Sequence, residues 1–391
     1  MIIEPKIRGF ICTTAHPVGC ATNVQRQIDH VVIKGAIPSP RKRVLVLGCS
    51  TGYGLASRIV TTFGSDADTV GVSFERAPTP DKTASAGWYN NRAFEYRAKA
   101  AGRVAVTIEG DAFSDAIKAE AIEAIRSHLG QVDLVVYSVA SPVRTDPKDG
   151  VSYRSAIKPY GAPVTSKTLN TGTGEVSEIS VEPASEEEAA ATVKVMGGED
   201  WELWIAALSD AGVLADGFQS LNYTYLGSEL TWPIYHKGTL GKAKADLDRA
   251  AAAIRAKHGE HAAHVVALKA VVTQASSAIP VVPLYGTLLI KVEDEMGLGE
   301  GPIQQIDRLF RDKLQGEPAL DEAGRIRVDD WELSPTMQKE LARRWAMLDT
   351  ENLAKLADLP KYRQEFLKLF GFGLGGVDYG ADVDPQVVPA K

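Results

Sequence analysis

A chain of 391 residues, 45% hydrophobic and 24% charged, has the makeup of a globular protein able to bury a large core. Its net charge of −7, with no strongly basic tract, argues against nucleic acid as the main partner. No apolar run approaches the roughly 18 residues that suggest a membrane span. Three cysteines without metal-ligand spacing, Cys12, Cys20 and Cys49, point to a reducing cytoplasm.

The opening, M-I-I-E-P-K-I-R-G-F, has early charges and no long apolar core, unlike a signal peptide. Ile2, Ile3, Phe10 and Ile11 suit a short edge strand or hairpin. The run T-T-A-H-P-V-G-C, residues 13–20, reads as a turn, and 25–33 as a helix with Val24, Ile28, Val31 and Val32 on its apolar face.

Residues 43–58 organise the rest of the chain. The unbroken apolar run 44–47 suits a parallel strand buried on both faces. Gly48, Gly52 and Gly54 come next, and a helical pattern begins at Leu55. Strand, glycine turn, helix presents backbone N–H groups to a pyrophosphate, and the helix N-terminus favours negative charge. A nucleotide cofactor is expected here; a tight βα turn that needs glycine is the plainer reading.

The second strand, 69–74, ends at Glu75. An acidic residue at that point bonds the ribose hydroxyls of NAD and repels a 2′-phosphate, which favours NADH, although Arg76 beside it could accept that phosphate. A loop leads to a helix over 91–101, with Trp88 and Tyr89 read as packing. Strand three, 104–108, is followed by Gly110, Asp111 and Ala112. Asp111 either meets the adenine ring or caps the helix that starts near Phe113. Strand four, 133–139, stops at Ala140, Ser141 and Pro142, where a nicotinamide ribose would pass.

Residues 143–183 are rich in Gly, Thr, Ser and Pro and read as an insertion holding a hairpin around 176–181. Ser185 and Glu188 form a capping box, and Trp201, Trp204, Ile205 and Leu208 make a core stripe on a helix over 200–211. A strand at 217–225, a helix at 241–258, a buried strand at 264–272 and a helix at 283–296 come after it. The last 90 residues suggest helices, a short strand at 325–328 and a glycine-rich tail, whose F-G-F-G is too generic to claim a flavin. The whole reads as one α/β Rossmann-type unit, a doubly wound, mostly parallel sheet with insertions and a helical C-terminal extension. Its segments are 1–80 for the cofactor, 81–320 for substrate and catalysis, and 321–391 for the extension.

The most informative chemistry lies in L-N-Y-T-Y-L-G-S-E-L-T-W-P-I-Y-H-K-G-T-L-G-K-A-K, residues 221–244. A tyrosine acid, with an ordinary pKa of about 10, gains from a nearby ammonium that stabilises its phenolate. Short-chain dehydrogenases place that lysine four residues after the tyrosine, and none of the twelve tyrosines has the spacing; Tyr235 and Lys244 have eight residues between them. His258, His261 and His264 drift off one helix face and make a poor metal site.

Taken together, P-K-I-R-G-F-I-C, G-C-S-T-G-Y-G, Phe74-Glu75, G-D-A at 110–112, the Tyr235/Lys244 pair and V-T-Q-A-S at 272–276 resemble the long single-chain enoyl reductases. These are trans-2-enoyl-CoA reductase and the FabV-type enoyl-acyl-carrier-protein reductase, and the resemblance runs end to end. It implies a monomer with NADH as donor, reducing the 2,3-double bond of an enoyl thioester carried on acyl carrier protein or CoA. By that match Tyr235 is the proton donor, Tyr225 a substrate contact and Lys244 a cofactor contact. Gly48, Cys49, Ser50, Thr51, Gly52, Tyr53, Phe74, Glu75, Asp111, Ala112, Val139, Ala140, Thr273, Gln274 and Ala275 line the cofactor.

Two other classes remain open on sequence. An S-adenosylmethionine-dependent methyltransferase also uses such a turn followed by an acidic strand end, but leaves the Tyr/Lys pair without a role. A non-catalytic NAD-binding sensor is the other. The carrier is equally open, with Lys237, Lys242 and Arg144 as candidate basic groups for either one.

Overall fold

Seven strands build one sheet: β1 (Arg43–Leu47), β2 (Asp68–Ser73), β3 (Ala105–Glu109), β4 (Val132–Tyr137), β5 (Leu214–Thr224), β6 (Ala263–Ala267) and β7 (Ile326–Arg327). In this computed structural model, which describes residues 1–9 and 11–387, the order across the sheet is β3-β2-β1-β4-β5-β6-β7. Every neighbouring pair is parallel. The chain's direction of travel across the sheet reverses between β1 and β4. That switch point leaves a crevice outside the carboxyl ends of the strands, where ligands of such sheets bind.

The strands are buried on both faces, and alternation sorts their side chains. Val44, Val46, Leu134 and Val136 join one core. There they meet the helices α1 (Pro17–Ile33), α2 (Gly52–Ile59) and α3 (Ala86–Ala100). Leu45, Leu47, Val135 and Tyr137 point the other way. They pack on α4 (Asp115–His128), α5 (Glu199–Asp210) and α6 (Thr239–His258). Trp201 and Trp204 are fully buried in this second core, as the stripe on α5 predicts. A third core joins α7 (Val282–Met296) to the C-terminal helices α8 (Pro335–Met347) and α9 (Leu359–Lys368).

Several local expectations need correction. Residues 13–20 are not simply a turn, because α1 begins at Pro17: proline suits the first helical position, and the His16 ring nitrogen Nδ1 caps the helix by accepting the Gly19 N–H at 3.2 Å. The helix expected at 91 starts five residues earlier, at Ala86, so Trp88 and Tyr89 lie within α3. The strand expected over 264–272 stops at Ala267. Beyond it the Lys269 and Ala270 N–H groups turn to the Gln305 and Glu332 side chains, which ends the ladder.

The segment after β4 holds two hairpins, Val143–Thr145 with Ser152–Arg154 and Val164–Leu169 with Val176–Val181. The Ser185/Glu188 capping box forms as expected. At the N-terminus Ile7–Arg8 pairs with Ile11–Cys12, apart from the main sheet, and Phe10 lies outside the described residues. His258 ends α6 while His264 is buried in β6, and no His, Cys, Asp and Glu cluster able to hold a metal occurs among the described residues.

Candidate active site

The glycine turn sits at the switch point. Gly48 adopts φ +79°, and a Cβ there would lie 2.3 Å from the Ser138 carbonyl oxygen, so only glycine lets β1 and β4 end this close together. The Ser138 N–H donates to the Leu47 carbonyl at 2.9 Å, joining the two strand ends. Both the Gly48 and the Cys49 N–H donate to the Val72 carbonyl, at 2.9 and 3.1 Å. The N–H groups left without an intrahelical acceptor are those of the first turn of α2, at Gly52, Tyr53 and Gly54. The Cys49 side chain is fully buried in the core, so it gives nothing to the cleft but backbone; burial pushes its thiol up to about 11.

Glu75 follows β2 directly, and its Oε1 accepts the Ser50 hydroxyl at 2.6 Å. Phe74 beside it is 80% exposed. A cavity of about 350 Å³ is lined by Thr51, Gly52, Glu75, Arg76, Thr273 and Gln274. It brings together three stretches that are far apart in sequence. A second cavity of about 550 Å³ shares Thr51 and Gly52 and extends to Lys269, Glu293 and Tyr362. Thr273 caps a single helical turn, Gln274–Ser277, by accepting the Ser276 N–H at 2.9 Å.

Asp111 lies just past β3. Its Oδ1 accepts the Phe113 N–H at 3.0 Å, while Ser114 is the residue that caps α4. The capping role expected of Asp111 therefore belongs to Ser114, and Asp111 shapes the turn before it. The Ala112 carbonyl accepts the Trp204 indole N–H at 2.9 Å. Past β4, Val139 packs partly on the core and Ala140 is exposed.

Tyr225 comes immediately after β5, and Tyr235 lies in the turns leading to α6. Their rings meet edge to face, with centroids 5.1 Å apart. The Tyr235 backbone is fixed on both sides: its N–H donates to the Thr231 carbonyl at 2.9 Å, and its carbonyl accepts the Gly241 N–H at 3.1 Å. A Cβ on Gly241 would fall 1.7 Å from the His236 carbonyl oxygen, so glycine is what lets α6 start against this turn. Lys244 lies in the second turn of α6, half-buried.

No hydrogen bond between Lys244 and Tyr235 occurs among the described residues. Burial alone pushes the Tyr235 phenol up, and burial alone brings the Lys244 ammonium down to about 8. Arg144, a candidate for a basic rim, is 1% exposed and paired with Glu199 at 2.9 Å, so it faces no carrier. Lys242 stacks over the Tyr160 ring, 3.3 Å from its centroid.

Five residues had no signal in the sequence. Asn90 on α3 donates to the Ser50 carbonyl at 3.1 Å and braces the glycine turn. Lys269 and Glu293 form a buried ion pair at 2.5 Å on the wall of the larger cavity, and burial raises the Glu293 carboxyl to about 7. Glu332 accepts hydroxyls from both Tyr225 and Tyr285. Tyr285 sits on an apolar helix stripe, where period alone reads it as core.

A parallel sheet of this strand order, with a glycine turn and a carboxylate held at the switch point, defines a nucleotide-binding protein of the Rossmann class. The family model for the catalytic region of trans-2-enoyl-CoA reductase matches residues 82–315, and that for its NAD(P)H binding domain matches 2–80. A FabV enoyl-[acyl-carrier-protein] reductase [NADH] from Aeromonas salmonicida is 57% identical over 99% of this chain and 98% of its own. The crystal structure of Treponema denticola trans-2-enoyl-CoA reductase with NAD superposes with a TM-score of 0.94 at 48% identity, covering 98% of each chain. That of the Clostridium acetobutulicum enzyme with NADH gives 0.95 at 40% identity over 99% and 98%. The chain belongs to this family of NADH-dependent enoyl reductases. That membership sets aside the methyltransferase and sensor readings.

The residues fit a dinucleotide. A Cβ on Gly52 would find nothing within 4 Å, so the first turn of α2 is open toward the cavities it lines. A third family model, described as an enoyl reductase FAD binding domain, matches 320–383. The described residues there do not fit a flavin. Their buried apolar side chains, such as Met337, Leu341 and Phe366, are spent on the cores with α7 and α1, and the segment has no strand–glycine–helix turn.

Proposed function

We propose that the protein reduces the trans-2,3 double bond of enoyl groups carried on acyl carrier protein, and also on CoA, in the last reductive step of fatty acid elongation. The relatives named for the carrier-protein thioester support the first carrier. The observation that carries the site reading is the edge-to-face pair of Tyr225 and Tyr235, 5.1 Å apart beside the carboxyl end of β5.

Bound NADH would supply a hydride to C3 of the enoyl chain. Negative charge then collects on the thioester oxygen, and a phenol aimed there stabilises it; losing one such donor typically costs about 10² to 10³ in rate. Tyr225 holds that oxygen, and Tyr235 delivers the proton. Tyr235 is protonated at neutral pH and so has a proton to give; burial, which raises its pKa, makes the free phenol a weaker acid, and the developing enolate is the base that draws the proton. Lys244 holds the nicotinamide ribose beside Val139 and Ala140. The backbone of Gly48, Cys49, Ser50, Thr51, Gly52 and Tyr53 cradles the pyrophosphate. Phe74 and Glu75 take the adenosine ribose, Asp111 and Ala112 the adenine, and Thr273, Gln274 and Ala275 close over the cofactor.

In this reading the chain works as one elaborated unit, since residues 1–80, 81–320 and 321–391 all give strands to a single sheet. It acts as a monomer, and in the cytoplasm. Three free, buried cysteines suit a reducing compartment, and no helix among the described residues is long and apolar enough to cross a membrane. Parallel kinetics on crotonyl thioesters of acyl carrier protein and of CoA, followed at 340 nm with NADH, test the carrier. A higher kcat/KM for the carrier-protein thioester is expected; equal or reversed values overturn that assignment.

A further inference from the structure

Glu332 lies in the loop between β7 and α8 and is 1% exposed. Its carboxylate accepts three hydrogen bonds. The Tyr285 hydroxyl reaches Oε1 at 2.7 Å, the Tyr225 hydroxyl reaches the same oxygen at 3.2 Å, and the Ala270 N–H reaches Oε2 at 2.6 Å. The surrounding loop is held in turn: Gln338 donates to the Glu332 carbonyl at 2.7 Å and accepts the Ser228 hydroxyl at 2.6 Å. One acidic residue from the C-terminal segment thus ties the end of β5, the loop after β6 and α7 to one point.

The three bonds are unequal. A phenol has one proton to give, so Tyr225 cannot donate to Glu332 and to a substrate oxygen together. Its bond is the long one, and the carboxylate keeps two short donors if Tyr225 turns away. Nor can Tyr225 lose its proton easily here. Burial, and then the negative charge of Glu332, both raise its pKa.

We propose that Glu332 is a positioning residue for the reduction: it parks the Tyr225 hydroxyl as an intact donor at the mouth of β5 and yields that hydrogen bond to the thioester oxygen as charge develops there. The proposal rests on Tyr225 contacting substrate in the proposed reaction. No covalent bond changes at Glu332; one hydrogen bond is exchanged for another.

The test is a double-mutant cycle in the full chain, with Glu332→Gln and Tyr285→Phe each made alone and in a Tyr225→Phe background. Turnover of crotonyl thioester is followed at 340 nm, NADH affinity by fluorescence titration, and folding by thermal melts. Glu332→Gln should lower kcat/KM for the thioester about tenfold, the size expected for one misdirected hydrogen bond. NADH affinity should stay within about twofold, and the loss should vanish when Tyr225 is already Phe. An equal loss in both backgrounds overturns the proposal, because a merely structural role adds independently. Should Glu332→Gln not fold, Tyr285→Phe carries the test. It leaves Tyr225 as the only hydroxyl on Oε1, so its proton is held harder and the KM for thioester should rise about threefold, again only when Tyr225 is present. No change in KM overturns the proposal. Unimpaired turnover by Tyr225→Phe alone overturns instead the substrate role of Tyr225, a result that the cycle separates from failure at Glu332.

Discussion

Ser50 donates a 2.6 Å hydrogen bond to Glu75, so the loop after β1 and the end of β2 are held as one piece. The contact aims the carboxylate beside Thr51 and Gly52, on the wall of the smaller cavity. Glu75→Ala should narrow the preference for NADH over NADPH, because it removes the proposed ribose acceptor and, with it, the charge that would repel a 2′-phosphate. The ratio of kcat/KM for the two cofactors measures it, and an unchanged ratio would locate specificity elsewhere.

Tyr235→Phe removes the proposed proton donor while keeping the ring that packs on Tyr225. We expect kcat to fall by about 10²-fold or more, with NADH binding nearly intact. Turnover at 340 nm with crotonyl-CoA checks it. Near-normal turnover would take Tyr235 out of the mechanism.

Lys244 gives a pH dependence with a definite sign. Its ammonium is lowered by burial to about 8, so below that pH it carries a charge and a full set of donors. Above it the neutral amine predominates, and the hold proposed for it on the nicotinamide ribose weakens. The Kd for NADH should therefore rise as pH climbs through about 8, and Lys244→Arg, whose guanidinium stays charged, should flatten that rise. A titration over that range that is flat in the unaltered protein would count against the cofactor role of Lys244.

The Lys269–Glu293 pair predicts a stability effect. Both side chains are about 5% exposed and lie 2.5 Å apart. Lys269→Met should destabilise the fold by about 3–5 kcal/mol, because it strands a buried carboxylate; adding Glu293→Leu should recover much of that loss. Urea denaturation of the two variants measures both. The carboxyl, raised to about 7, also sets a direction. Lys269 draws that carboxyl down, so in the single variant it titrates higher still; the penalty relative to the unaltered protein should shrink as pH falls toward about 7 and level off below it.

The sequence by itself determined the parallel sheet and the glycine turn at its switch point. An apolar run such as 44–47, too short for a helix and closed by glycine, suits a strand buried on both faces, and the glycines after it fix the turn. Those signals are local: they placed β1 correctly, and α2 within three residues, since it starts at Gly52 rather than Leu55. What only the tertiary structure decided are relations between segments far apart in the chain. Ala270 and Tyr225 meet Glu332, Lys269 meets Glu293, and Arg144 turns inward to Glu199 where a rim residue was expected. Periodicity reports which face of an element is apolar, but a buried polar side chain finds its partner through packing, and packing is set by how the elements cross. The same limit explains Tyr235 and Lys244: their spacing marks them as a pair in sequence, yet burial of each group, rather than a contact between them, sets their acidity.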